Sequence, residues 1–173
     1  PKYNWDLLHV KTLSVLKKFA AKNPDISIII KIKTGQLVNK KQYLDLPSNI
    51  KLKYFGAGHQ LLEKSKVIIA WNTTAILEGI AANRFILLPY FRTKKNNLKK
   101  KNELILKLKD ENYGYSENDF YKKLDFFMKS KYKKNHIHNE QCSLKYHLHN
   151  ADNKADLRLN RFLNKNIKYK NIK

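Results

Sequence analysis

Cysteine and methionine are almost missing: Cys142 and Met128 are the only ones among 173 residues. A single cysteine excludes a disulfide framework and a zinc site built from cysteines alone. Acid is scarce too. Thirty-six lysines and arginines face 14 aspartates and glutamates, a formal net charge of +22. No apolar run approaches the ~18 residues needed to cross a bilayer. There is no internal repeat and no Pro- or Ser-rich linker. The opening Pro1-Lys2-Tyr3-Asn4-Trp5 lacks the charged-then-apolar order of a secretory leader. A cytoplasmic location is the expectation. No initiating methionine stands at position 1, so the chain reads as part of a longer protein.

What remains is ordinary globular material. Hydrophobic residues make up 42% and aromatics 12%, above the range of disordered chains. The length suits one domain with a core of its own. The basic excess has two readings. Lysine travels with asparagine, isoleucine and tyrosine, as codon drift in an A/T-rich genome would produce. A selected surface for nucleic acid or anionic lipid would look the same. Lysine-rich runs at 94–101 and 164–173 read as an exposed loop and a frayed tail.

Periodicity divides the chain. Trp5, Leu8, Thr12, Leu16 and Phe19 share one face of a helix that Asn4 can cap and Asn23-Pro24 ends. Strands follow at 26–30, 50–55, 67–71 and 85–88. The second alternates apolar and basic residues, as a sheet edge does. Helices are expected at 59–64 and 73–82, the latter capped by Thr73 or Thr74 and closed by a left-handed Asn83. Residues 99–173 read as mainly helical, with helices near 117–130, 136–149 and 152–165. The expected class is α/β: a Rossmann-like open parallel sheet of about four or five strands, covered on both faces, with a helical C-terminal tail. Residues 1–135 form the nucleotide-binding domain in this reading, and 136–173 are helices packed on it.

Ligands of such sheets bind beyond the carboxyl ends of the strands. Four loops qualify: Lys33-Thr34-Gly35, Gly56-Ala57-Gly58-His59, Trp71-Asn72-Thr73-Thr74 and Pro89-Tyr90-Phe91-Arg92. The third joins a strand to a helix N-terminus, which with its hydroxyls suits phosphate. Glu78, four residues after Thr74, shares its helix face and could accept hydrogen bonds from sugar hydroxyls. The plainer alternative is a threonine cap beside a solvated carboxylate. Gly56-Ala57-Gly58 lacks a third glycine at Leu61, so a plain turn competes with a phosphate loop. His136, His138, Cys142, His147 and His149 match no metal-ligand spacing, and no strand-to-helix elbow presents Cys142 as a nucleophile. No metal or cofactor is expected.

The stretch from His59 to Phe91, HQLLEKSKVIIAWNTTAILEGIAANRFILLPYF, resembles the C-terminal donor-binding half of GT-B glycosyltransferases. It is most similar to bacterial enzymes of surface-carbohydrate and capsule biosynthesis. Ser65-Lys66-Val67-Ile68-Ile69, Asn72-Thr73-Thr74, Leu77-Glu78-Gly79 and Asn83-Arg84-Phe85-Ile86 stand at the family's motif positions. Asn150-Ala151-Asp152-Asn153-Lys154-Ala155 is similar to the turn before the last helix of that family. Three departures are visible. Lys66 replaces an aspartate, Asn83-Arg84-Phe85 replaces Gly-Lys-Pro, and Lys31-Ile32-Lys33-Thr34 lacks the family's histidine.

The resemblance implies a nucleotide-sugar as substrate. Asn72, Thr73 and Thr74 would meet the donor phosphates, and Glu78 the ribose or sugar hydroxyls. Gly58 and His59 would line the base pocket, and Arg92 or Lys33 would add positive charge. It also implies a missing N-terminal domain that holds the acceptor site and the catalytic base, so no catalytic residue is assigned. The expected setting is the inner face of the membrane, with anionic lipid as a partner. A basic nucleic-acid-binding domain stands as the alternative, as does an epimerase or polyol-phosphate transferase of similar fold.

Overall fold

A computed structural model of the chain describes residues 5–32, 40–56, 58–71, 73–91, 108 and 110–131. Helix α1, Trp5–Lys22, turns Leu13, Val15, Leu16, Phe19 and Ala20 inward. Thr12 is buried on the same side because its hydroxyl donates to the Leu8 carbonyl at 2.8 Å, which satisfies it locally. The amide nitrogen of Asn49 lies 2.9–3.1 Å from the carbonyls of Ala20, Asn23 and Ile26. It ties the end of α1 to the first two strands.

Strands β1, Ile28–Lys31, and β2, Ile50–Lys53, pair in parallel with Ile28 opposite Ile50. Helix α2, Gly58–Lys64, leads to β3, Val67–Ile69. Helix α3, Ala75–Ala81, leads to β4, Phe85–Pro89. A short 3-10 turn, Asp110–Asn112, enters β5, Tyr113–Gly114, and α4 covers Glu117–Lys129. Strands β3, β4 and β5 form a second parallel ladder in that order.

The α/β class and the parallel strands therefore stand, but the single open sheet is corrected to two ladders of two and three strands. Ile28 and Ile30 of one ladder and Val67 and Ile69 of the other nevertheless pack against the same core. That core lies under α1 and α4, where Phe19, Phe85, Leu87, Phe120, Leu124 and Phe127 meet. Phe85 and Phe127 stack with ring centroids 4.8 Å apart. On the other side of β3 and β4, Ile68 and Ile86 pack with Ile76 and Ile80 of α3. The continuous apolar run of β4 thus serves two cores, one per face.

Among the described residues, no helix covers the second face of β1 and β2. There the burial alternates, and Ile29, Lys31, Lys51 and Lys53 are exposed. The connection from β1 to β2 contains a 3-10 turn, Lys40–Tyr43, where a covering helix would stand. Its following segment packs Leu46 on the core under α1. Strand β2 also stops at Lys53, two residues early, because Gly56 takes φ 91° and turns the chain.

Within the stretch read as mainly helical from 99 onward, the described residues add a two-residue strand, Tyr113–Gly114, ahead of α4. Helix α4 is as expected. Ser116 accepts from the Asp119 N–H at 3.1 Å, and the Asp119 carboxylate accepts from the Tyr115 N–H at 2.9 Å. This is close to a reciprocal capping box. The expected helices at 136–149 and 152–165, the tail 136–173, the lysine runs, the Asn4 cap and the histidine cluster lie outside the described residues.

Candidate functional site

Beyond β3 the chain passes Ala70 and Trp71 and reaches α3 through Thr73 and Thr74. The two threonines do different work. The Thr73 hydroxyl accepts from the Ala75 N–H at 3.3 Å, and the Thr73 carbonyl accepts from the Ile76 N–H at 3.1 Å. Thr73 therefore holds the turn. Thr74 already has helical angles, φ −60° and ψ −22°, and its side chain makes no cap bond. Its carbonyl accepts from the Glu78 N–H at 3.2 Å, which sets Glu78 one turn along on the same exposed edge. Among the described residues the Glu78 carboxylate has no hydrogen-bond or ion-pair partner.

This geometry changes the balance at the helix start. The N–H groups of Ala75, Ile76 and Glu78 are engaged within the turn. The exposed Thr74, whose side chain makes no cap bond, leaves a hydroxyl donor at this end of the helix.

The buried side of α3 positions that edge. Gly79 lies against Ile68 and Ile86, and a Cβ there would come within 2.5 and 2.8 Å of their Cδ1 atoms. Asn83 takes φ 61°, and the Asn83 and Arg84 N–H groups close back onto Ile80 and Gly79 at 2.9 Å each. This paired closure is the left-handed stop expected from the sequence. Arg84 also donates to the Glu63 carbonyl at the end of α2. Lys66, standing where the similar family has aspartate, donates to the Met128 carbonyl at 2.5 Å in the last turn of α4. Its ammonium is committed to holding α4.

Gly58 and His59 open α2 and are exposed, on the carboxyl side of β2. Nothing lies within 4 Å of a Cβ placed on Gly58, so packing does not require glycine there. Helices α2 and α3 pack together, and both start on the carboxyl side of the strands. Phe91, in the fourth loop, is turned into the core. Asn72, Arg92 and the Lys33-Thr34-Gly35 loop lie outside the described residues.

Two clusters escaped the sequence reading. The first gathers His9, Tyr43 and Trp71 beside the end of β3. The Tyr43 hydroxyl is 2.7 Å from His9 Nε2, and the His9 and Trp71 rings are 5.9 Å apart. Burial pushes the His9 pKa below its ordinary value, against a smaller opposing pull from Asp6. Burial, then Tyr54, pushes the Tyr43 pKa up. The Trp71 indole N–H is buried without a partner among the described residues. These residues come from three distant segments and carry no spacing signal. Only Trp71, the first residue of the third loop, had already been singled out.

The second cluster lies at the ends of β4 and β5. The Tyr90 ring stands edge-on to Tyr113 and Tyr115 at 5.5 and 5.9 Å. Lys123 lies 5.2 Å from the Tyr115 ring and donates to the Tyr113 carbonyl and the Asp119 carboxylate. Burial, then Asp110, raises the Tyr113 pKa.

Among the described residues no group of three or more His, Cys, Asp or Glu side chains could hold a metal ion. No described helix is long and apolar enough to cross a membrane. No protein-family model, curated protein or solved structure matches the chain.

Proposed function

We propose that this chain is the nucleotide-sugar-binding half of a glycosyltransferase of GT-B type, acting in surface-polysaccharide synthesis. The observation that carries the reading is the exposed edge formed by Thr74 and Glu78, directly after a parallel strand. That position is the ligand side of a parallel sheet. A hydroxyl and a carboxylate one helical turn apart match a ligand that carries both phosphate and sugar hydroxyls.

The division of labour follows. Thr73 holds the turn, and the Thr74 hydroxyl donates to a phosphate oxygen of the donor. Glu78 accepts from ribose or sugar hydroxyls. Gly58 and His59 stand nearest the base, and Asn72 and Arg92 complete the phosphate contacts. Bond cleavage leaves a nucleoside diphosphate, whose growing charge is stabilised by fixed donors and nearby cations. The base that activates the acceptor belongs to the partner domain. The donor is a substrate, so no bound cofactor is required.

Calorimetric titration with UDP, CDP, GDP and CMP tests the reading. One nucleotide is expected to saturate, and Glu78→Ala and Thr74→Ala should each weaken it about tenfold or more, the loss of a single hydrogen bond to a charged or polar group. Both side chains are exposed, so the melting temperature should hold. Silence of both variants in the full-length protein, alongside tight salt-dependent binding of RNA, would move the chain to the nucleic-acid class.

A further inference from the structure

The β1–β2 ladder has one face in the core and one exposed. One side of the ladder, with Ile28, Ile30 and Ile50, packs into the core under α1. The other presents Ile29, which is 47% exposed, with Lys31 beside it and Lys51 and Lys53 across the ladder. Strand partners in parallel register point the same way, so these four form one continuous patch. No acidic residue belongs to it.

The patch ends in a turn built to stand out. Lys31 Nζ donates to the Tyr54 carbonyl at 2.7 Å, fastening the turn after β2 to β1. Gly56, at φ 91°, then bends the chain away, and the Lys53 stem lies beside it. Tyr54 and Phe55 are left 41% and 81% exposed at the tip. Among the described residues Lys51 and Lys53 have no hydrogen-bond or ion-pair partner.

From this we infer that the β1–β2 face, tipped by Phe55, docks on an anionic lipid surface. Charge complementarity selects the occupant. A second copy would set lysine against lysine. A lipid interface takes both halves of the patch: Phe55 and Ile29 enter the headgroup boundary while lysine ammonium groups reach the phosphates from their apolar stems. Nucleic acid would leave Ile29, which cannot stack on a base, without a role. The inference stands on this face alone and does not depend on the donor-binding reading.

Co-sedimentation of the full chain with vesicles provides the test. Binding is expected to phosphatidylcholine vesicles containing phosphatidylglycerol and not to phosphatidylcholine alone. Lys51→Glu with Lys53→Glu should lower the partition coefficient by roughly tenfold or more. Phe55→Ser, at an exposed tip, should lower it several-fold with the melting temperature unchanged. Lys18→Glu with Lys122→Glu makes the same charge change on exposed sites of the helices that cover the opposite side, and should change binding far less. Equal loss in the two charge variants would reduce the effect to diffuse net charge and overturn the inference. So would absence of sedimentation, or an unaltered Phe55→Ser. Loss of RNA binding in the ladder variants, with vesicle binding intact, would assign the face to nucleic acid instead.

Discussion

A Cβ added at Gly114 would stand 2.6 Å from Cβ of Phe120 and 2.9 Å from its Cα. The second atom belongs to the backbone of α4, so relief requires moving the helix. At Gly79 the clashing atoms are the Cδ1 ends of Ile68 and Ile86, which can rotate. Alanine there also gains up to about 1 kcal/mol of helix propensity. Gly114→Ala is therefore expected to cost about 1–3 kcal/mol, and Gly79→Ala less. Urea unfolding midpoints check the order, and a reversed order would mean that α4 yields more easily than α3. Only part of this scale was legible beforehand. Asn83 could be read because asparagine after an apolar helix face is a local signal. The separate duties of Thr73 and Thr74 could not, because adjacent threonines offer the same chemistry and only the backbone angles distinguish them. Lys66 looked like a defect in a motif. Its bond to Met128, 62 residues away, gives it a structural role.

Elements were readable to the extent that each carries a period. Helix α1 holds apolar positions three and four apart and β4 is an apolar run, so their places were evident, and α4 fell where a helix near 117–130 was expected. Strand β5 has two residues and no period at all. It exists because Gly114 allows Phe120 to press against it and because β4 offers an unpaired edge. Helix α4 is the clamp at this level. Phe120, Leu124 and Phe127 are all buried, and Phe127 lies flat on Phe85 of β4. Phe127→Ala should cost about 3–5 kcal/mol, a large share of the ~5–15 kcal/mol that holds a domain together. Circular dichroism in denaturant would show it as an early, still cooperative transition. A loss below about 1 kcal/mol would mean the core under α4 can collapse into the gap.

Proton binding and pairing are properties of the whole molecule. Burial among α1, Tyr43 and Trp71 holds the His9 pKa below its ordinary 6.5. As the pH falls through that value the unfolded chain takes up a proton and folded His9 does not. The unfolded state binds more protons in this window, so stability falls from about pH 6.5 downward until folded His9 also titrates. His9→Gln should flatten that acid slope in thermal melts at stepped pH, and an unchanged slope would place the acid sensitivity elsewhere. The amino-acid sequence by itself determined the class of the molecule: parallel strands alternating with helices, the inward face of α1, the place of α4, and the loop at Thr74 that leads into the helix carrying Glu78. Those features follow from neighbours along the chain, where burial leaves a period. The tertiary structure alone decided that the strands divide into two ladders, that one ladder face stays open and basic, and that His9 meets Tyr43 and Trp71. Strand pairing and ring contact join residues tens of positions apart, and their energy depends on what the rest of the chain leaves uncovered.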